Sequence, residues 1–393
     1  MKKAYITSAF RSPIGSLNGG ISQLAAPELG SQVIKKCLAN SGLSSSDPSM
    51  IFMGNVLTTG VGQNPARQAA LKAGIDKDKI ATTINQVCGS GLTSVGIGFN
   101  AIKCDDANIV IAGGQENMSL SPHYMNIRRS TKMGDNQMKD SMIIDGLWDV
   151  YNDYHMGITA ENVAKKYSVL RNDQDEFALN SQLKAQAAIK LDKFKEEIVP
   201  IVGKFKKDDL VLDKDEHPKK NLNLEKLAKL KSVFKKDGTV TAGNSSGIND
   251  GAASLVLMSE DELKKRKLKP LVEIVSWAEY GVEPSLMGTG PIPASSLALK
   301  KAGWKIEDLD LVELNEAFAA QSLAVINELK LNNEIINVNG GAIALGHPIG
   351  ASGARILVTL IHEMIKRDSN KGLAALCIGG GMGIAMCVQK PNL

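Results

Sequence analysis

At 393 residues, with 43% hydrophobic and 22% charged side chains, the sequence has a globular composition and exceeds the length one core usually serves, so at least two core units are expected. A formal net charge of +4, spread through interleaved acids and bases, excludes a nucleic-acid signature, and no apolar run is long enough for a membrane span. Five cysteines without a CxxC pair exclude a disulfide scaffold and a structural metal cluster, and point to a soluble, cytoplasmic protein in a reducing compartment.

Taken in order, residues 4–9 read as a strand, 29–40 as a helix ended at Ser41-Gly42, and 50–56 as a strand. Residues 65–73 form the next helix, closed at Gly74, and 81–87 a strand that delivers Cys88. Leu92, Val95, Phe99 and Ile102 then recur at helical spacing, which predicts a core-packed helix starting near Cys88. Residues 109–114 read as a buried strand. The alternation predicts an α/β fold with mostly parallel pairing.

Between Met118 and about Asn249 the composition changes to methionines, polar turns and charged helices, which marks an insertion. Asn172 is the expected N-cap of a helix over 177–190, and the lysine-rich part from Lys204 to Lys236 reads as a solvated face. Buried-strand composition resumes at 251–258 and 271–280. The order of elements then repeats: a helix over 297–303, a strand over 309–314, a glycine-led helix after Gly350, and a strand over 374–380. The offset of roughly 260 residues implies two similar α/β halves packed on one another. The expected division is residues 1–118 with 249–270, an inserted 119–248, and 271–393.

Cys88 stands between a strand and a glycine-rich helix start, where backbone N–H groups and the helix dipole favour a thiolate. It is the candidate nucleophile. His347, in the turn Asn339–Gly350, is its candidate base, since an imidazole exchanges protons near neutrality. Cys377 is either a second acid/base or a core residue. The run Gly379-Gly380-Gly381-Met382-Gly383 opens no helix and reads as a hairpin turn rather than a dinucleotide fingerprint.

Three stretches, Asn85-Gln86-Val87-Cys88-Gly89-Ser90-Gly91, Asn339 to Pro348 and Gly372 to Gly381, together closely resemble the thiolases, and the similarity runs from Ala4 to Val388. The resemblance implies a duplicated thiolase fold whose inserted loop domain, 119–248, carries coenzyme A. It implies a ping-pong Claisen condensation of two acetyl-CoA to acetoacetyl-CoA and CoA, with thiolysis as the reverse. Cys88 would carry the acetyl group, His347 accept its proton, and Cys377 remove the α-proton of the second acetyl-CoA. The backbone N–H groups of Cys88 and Gly379 would form one oxyanion hole, and His347 with a water held by Asn315 the other.

By the same resemblance His155 and Met156, in Tyr154-His155-Met156-Gly157, mark a short acyl pocket, Ser246 bonds the pantetheine, and Leu147, Ala317 and Phe318 line the channel. Lys219 stands where relatives commonly carry an arginine near the nucleotide, and a lysine offers phosphate a point charge rather than a planar fork. No permanently bound cofactor and no metal are expected; the ligands are CoA thioesters, and the partner is a second copy, in a homotetramer built with the help of 119–133. The alternatives are a 3-ketoacyl-CoA thiolase of broader chain length and a non-catalytic CoA- or lipid-binding relative; a β-ketoacyl synthase would need a second glycine-flanked histidine.

Overall fold

Strands that are apolar at every position must be covered on both faces. The computed structural model, which describes residues 2–128, 133–205 and 208–392, covers them so. Strands β1 (Ala4–Arg11), β2 (Met50–Gly54), β3 (Ile80–Ile84), β4 (Ile109–Asn117), β5 (Asn249–Ser259), β6 (Val272–Gly281), β7 (Leu311–Leu314), β8 (Lys371–Ile378) and β9 (Met382–Gln389) form the main sheet. Their order is β7-β8-β9-β6-β1-β5-β4-β2-β3, with the β1–β6 pairing joining the two halves.

Alternate residues of each strand face different layers. Ile109 and Ile111 of β4 pack outward with helices α1 (Ala26–Asn40) and α2 (Pro65–Lys72), while Val110 and Ala112 pack inward. In the second half, Leu373 and Ala375 of β8 pack outward with α6 (Pro291–Ala302) and α7 (Ala319–Leu329). Its Ala374 and Leu376 point inward. The inward faces share one central core with α3 (Ser90–Lys103) and α8 (Ser352–Arg367), to which Leu92, Val95, Phe99 and Ile102 contribute as their spacing predicts. Helix layers thus cover the sheet of each half on both sides.

Where α3 and α8 begin, the two helix backbones nearly touch. A Cβ on Gly91 would lie 2.7 Å from the Ala354 nitrogen, and one on Gly353 2.5 Å from the Leu92 nitrogen. Side chains there would wedge the helix starts apart, so the glycines bring Cys88 and the loop bearing His347 to one place.

Several expectations need correction. Only β2–β3, β2–β4 and β7–β8 pair in parallel, so most of the main sheet is antiparallel. The reason is strand order: of the strands that crossover helices join, only β2 with β3 and β7 with β8 lie side by side, while β8 and β9 form a hairpin through Gly380 and Gly381, both at positive φ. The inserted region carries α4 (Met156–Lys166) and α5 (Arg171–Lys190). Helix α5 starts before Asn172, and the Asp173 carboxylate accepts the Leu170 N–H at 3.1 Å, so Asn172 is not its cap. Of the stretch 119–133, residues 129–132 lie outside the described residues, as do 206 and 207 of the lysine-rich part. Among the described residues no helix is long and apolar enough to cross a membrane, and no group of His, Cys, Asp or Glu is arranged to hold a metal ion.

Candidate active site

Strand β3 stops at Ile84, and the chain turns sharply through Val87 and Cys88 into α3. Cys88 is partly buried, packed against the cluster of Val56, Leu57, Met118 and Ile349. The Gly379 N–H donates to its sulfur, yet burial dominates and pushes the thiol up to about 11, with the Glu116 carboxylate adding to the rise. The expectation of a resting thiolate is therefore corrected. A helix start contributes a fraction of a charge, which does not offset desolvation of a thiolate on the apolar side of that helix.

Glu116, at the end of β4, accepts from Asn55 Nδ2 at 2.6 Å and from the N–H groups of Val56, Leu57 and Gly350 at 3.0, 3.2 and 2.9 Å. Burial pushes its carboxyl up to about 7 against those donors. It ties the loop after β2 to the loop after His347. An acid closing an otherwise apolar buried run is the signal by which the sequence could have shown it.

His347 is 5% exposed and follows Gly346, whose φ of 110° and would-be Cβ only 2.5 Å from the Asn249 side chain admit glycine alone. Asn249 Oδ1 accepts the His347 N–H at 3.0 Å while its Nδ2 donates to the Gly15 carbonyl at 2.9 Å, pinning the histidine to the other half. The Ser352 hydroxyl donates to the Pro348 carbonyl at 2.8 Å, so the 2.6 Å contact between His347 Nδ1 and Ser352 Oγ is filled by Nδ1–H donating. This network assigns the tautomer. Nε2 is then a bare lone pair, buried and without a partner. Burial, followed by the Arg355 charge, pushes the imidazole down to about 3, so it rests neutral.

A neutral thiol at Cys88 and a neutral imidazole at His347 predict a specific pH response. Iodoacetamide alkylation of Cys88 in the ligand-free protein rises roughly tenfold per pH unit between pH 7 and 10, because thiolate grows as pH approaches a raised pKa. A plateau by pH 7 would show a resting ion pair instead.

Asn315 follows β7, whose end is held by Asn337: its Oδ1 accepts the Leu314 N–H and its Nδ2 donates to the Leu314 carbonyl, both at 2.8 Å. Asn315 is fully buried, its Nδ2 lies 3.5 Å from His347 Nδ1, and its Oδ1 has no partner. Cys377 ends β8 at 1% exposure, and burial together with neighbouring Cys88 raises its thiol far above the usual range. It packs with Met156, Ala317, Phe318 and Met287. A Cβ on Gly379 would lie 3.2 Å from Val87 Cγ1 and 3.7 Å from Met156 Sδ.

A cavity of about 520 Å³ leads away from His347, lined among others by Leu147, His155, Lys219, Ser246 and Phe318. Met156 and Ala317 are absent from that lining and stand beside Cys377 instead. His155 Nδ1 accepts the Gly157 N–H at 3.0 Å, capping α4, and its ring stacks on Phe234 at 4.6 Å. Phe234 in turn meets Phe318 edge-on at 6.4 Å. Ser246 is fixed through its N–H to the Ala317 carbonyl at 2.9 Å. Lys219 is fixed through its N–H to Gln182 Oε1 at 2.9 Å, leaving its exposed side chain at the cavity. Phe234 and His217 join this lining without having been singled out by sequence. A larger cavity, about 760 Å³ between α5 and α7, holds neither cysteine nor histidine.

Known proteins resemble the chain along its whole length. Residues 4–261 match the thiolase N-terminal domain and residues 268–390 the thiolase C-terminal domain. An acetyl-CoA acetyltransferase of Paracoccus denitrificans is 55% identical over 391 residues, covering 100% of each chain. The crystal structure of the Bacillus anthracis acetyl-CoA acetyltransferase superposes with a TM-score of 0.97 at 42% identity, covering 99% of both chains. Human mitochondrial 3-ketoacyl-CoA thiolase in complex with CoA gives 0.96 at 42% identity, over 99% of this chain and 98% of that one. With both halves matched and the fold shared along its length, the chain belongs to the thiolase family.

Proposed function

We propose that this thiolase is an acetyl-CoA C-acetyltransferase that joins two acetyl-CoA into acetoacetyl-CoA and CoA, and runs the reverse thiolysis, through an acetyl group carried on Cys88. The observation that carries this reading is the buried, unpartnered Nε2 of His347 on a cavity whose neighbouring cluster holds Cys88. Nε2 takes the Cys88 proton as sulfur attacks the thioester, and CoA leaves as its thiol. Cys377, having given its own proton to the departing CoA, removes as thiolate an α-proton from the second acetyl-CoA; the carbanion attacks acetyl-Cys88, and the new carbon–carbon bond forms as the Cys88 sulfur departs and regains its proton from His347.

The first oxyanion rests on the N–H groups of Cys88 and Gly379. The Gly379 N–H already points at the Cys88 sulfur, which supports that assignment. For the second, the orphaned Asn315 Oδ1 is suited to hold a water that faces the thioester oxygen with His347. The inserted 119–248 region binds CoA, with Ser246, His155, Leu147 and Phe318 along the pantetheine and Lys219 toward the phosphates. Exposed Met125, Ile127 and Met133 on the 119–133 stretch support assembly as a tetramer.

The experiment is turnover of acetyl-CoA and of acetoacetyl-CoA with CoA; coenzyme A binding without acetyl exchange would overturn the reading in favour of a binding-only relative. Chain length is decided by profiling thiolysis of C4 against longer 3-ketoacyl-CoA substrates. Met156 packs over Cys377 with Phe318 and closes the acyl end, which favours short chains. Met156→Ala is expected to raise kcat/KM for a six-carbon substrate about tenfold relative to the four-carbon one. An unchanged ratio would remove Met156 as the limit and favour the broader 3-ketoacyl-CoA reading.

A further inference from the structure

We propose that Ser90, helped by Asn85, is a positioning residue that clasps Val87 in a left-handed backbone conformation, and that this clasp sets the orientation of Cys88 for turnover rather than for coenzyme A binding. The proposal rests on reading Cys88 as the nucleophile. Val87 has a φ of 46°. The other non-glycine residues at positive φ among those described are asparagines, aspartates, lysines and one serine, so Val87 alone is β-branched. A branched Cβ crowds the neighbouring carbonyl in that region, and such a residue persists only where its surroundings impose it.

The surroundings are specific. The Val87 N–H donates to Asn85 Oδ1 at 3.0 Å. The Val87 carbonyl accepts the Ser90 hydroxyl at 2.6 Å and the Ser90 N–H at 3.1 Å. Ser90 Oγ in turn accepts the Gln86 N–H at 2.8 Å, so one hydroxyl ties the carbonyl of Val87 to the N–H of the residue before it. Ser90 has no exposed surface. Its place exists because Gly54 lacks a side chain: a Cβ there would lie 2.7 Å from Ser90 Cβ. Val87 itself faces Gly379, whose N–H reaches the Cys88 sulfur.

The geometry gives the clasp a kinetic consequence. The peptide between Val87 and Cys88 carries the Cys88 N–H, and its plane turns with the Val87 backbone. If Val87 relaxed to an ordinary conformation, that N–H and the thiol would both leave their places opposite Gly379. No residue of the clasp lines the coenzyme A cavity, so substrate affinity is untouched. A glycine at position 87 occupies the left-handed region without strain and needs no clasp.

The test is a double-mutant cycle read by steady-state thiolysis of acetoacetyl-CoA, with acetyl-enzyme detected by mass spectrometry. Ser90→Ala is expected to lower kcat roughly tenfold while KM stays within about twofold. In a Val87→Gly background the same change lowers kcat less than about threefold. Equal losses in the two backgrounds, or a loss confined to KM or to melting temperature, overturn the clasp. Should Ser90→Ala not fold, Asn85→Ala takes its place in the cycle, with a several-fold loss of kcat that Val87→Gly again suppresses. Absence of acetyl-Cys88 even in the unmodified protein would instead overturn the nucleophile, a separate result.

Discussion

Cys88→Ala lowers kcat for both acetyl exchange and acetoacetyl-CoA thiolysis by at least about a thousandfold, while CoA still binds with its original affinity. The variant deletes one sulfur from a partly buried position among apolar neighbours, so it leaves the fold in place. On the proposed mechanism it removes the atom that carries the acetyl group between the two half-reactions. His347 cannot replace it: burial and Arg355 keep the imidazole neutral, but its Nε2 is a base set in a loop, without the N–H pair of Cys88 and Gly379 to receive an oxyanion. Cys377 is held further from ionisation still, by burial and by Cys88 itself. Activity above about one per cent in this variant, with no acetyl-enzyme in the mass spectrum of the unmodified protein, would sink the mechanism.

Arg11→Met destabilises the protein by about 3–5 kcal/mol, seen as a lower urea midpoint in equilibrium unfolding. Arg11 is fully buried at the end of β1. Its Nε lies 2.5 Å from Glu197 Oε1, and its two terminal nitrogens lie 2.7 and 2.9 Å from the Asp215 carboxylate. Burial by itself would lower its pKa, but the Asp215 and Glu197 carboxylates outweigh that and raise it. Methionine fills the volume yet leaves two buried carboxylates without their cation. Adding Glu197→Gln to the variant is expected to restore part of the loss; if Arg11→Met shifts the midpoint no more than a surface substitution does, the fork is not what fastens the inserted region to β1.

Much of this was written locally. The helix through Leu92, Val95, Phe99 and Ile102 follows from spacing, because a period near 3.6 within one short window is enough to choose which face is buried. The hairpin at Gly379–Gly383 follows from consecutive glycines where positive φ is needed. The repeat carries two similar halves because the same element order recurs. Pairing direction was less legible: a strand apolar on both faces looks alike whether its neighbour runs parallel or antiparallel, so β5, β6 and β9 gave no sign of their sense.

At the site the division is sharper. Cys88, His347, Asn315 and Cys377 are visible as reactive or polar residues set among glycines and at strand ends. Their chemical state is not, since desolvation and fields depend on what other parts of the chain bring near: Glu116 from β4 and Gly379 from the β8 end at the thiol, and Ser352 and Arg355 from α8 at the imidazole. Asn249 and Phe234 were invisible for the same reason, being ordinary residues until folding sets them against His347 and His155. The sequence by itself determined the α/β repeat and the family, and it nominated the candidate reacting groups, because these reside in short windows and residue types. Only the tertiary structure decided that the thiol rests protonated and the imidazole neutral, because the energy of a charge is fixed by everything packed around it.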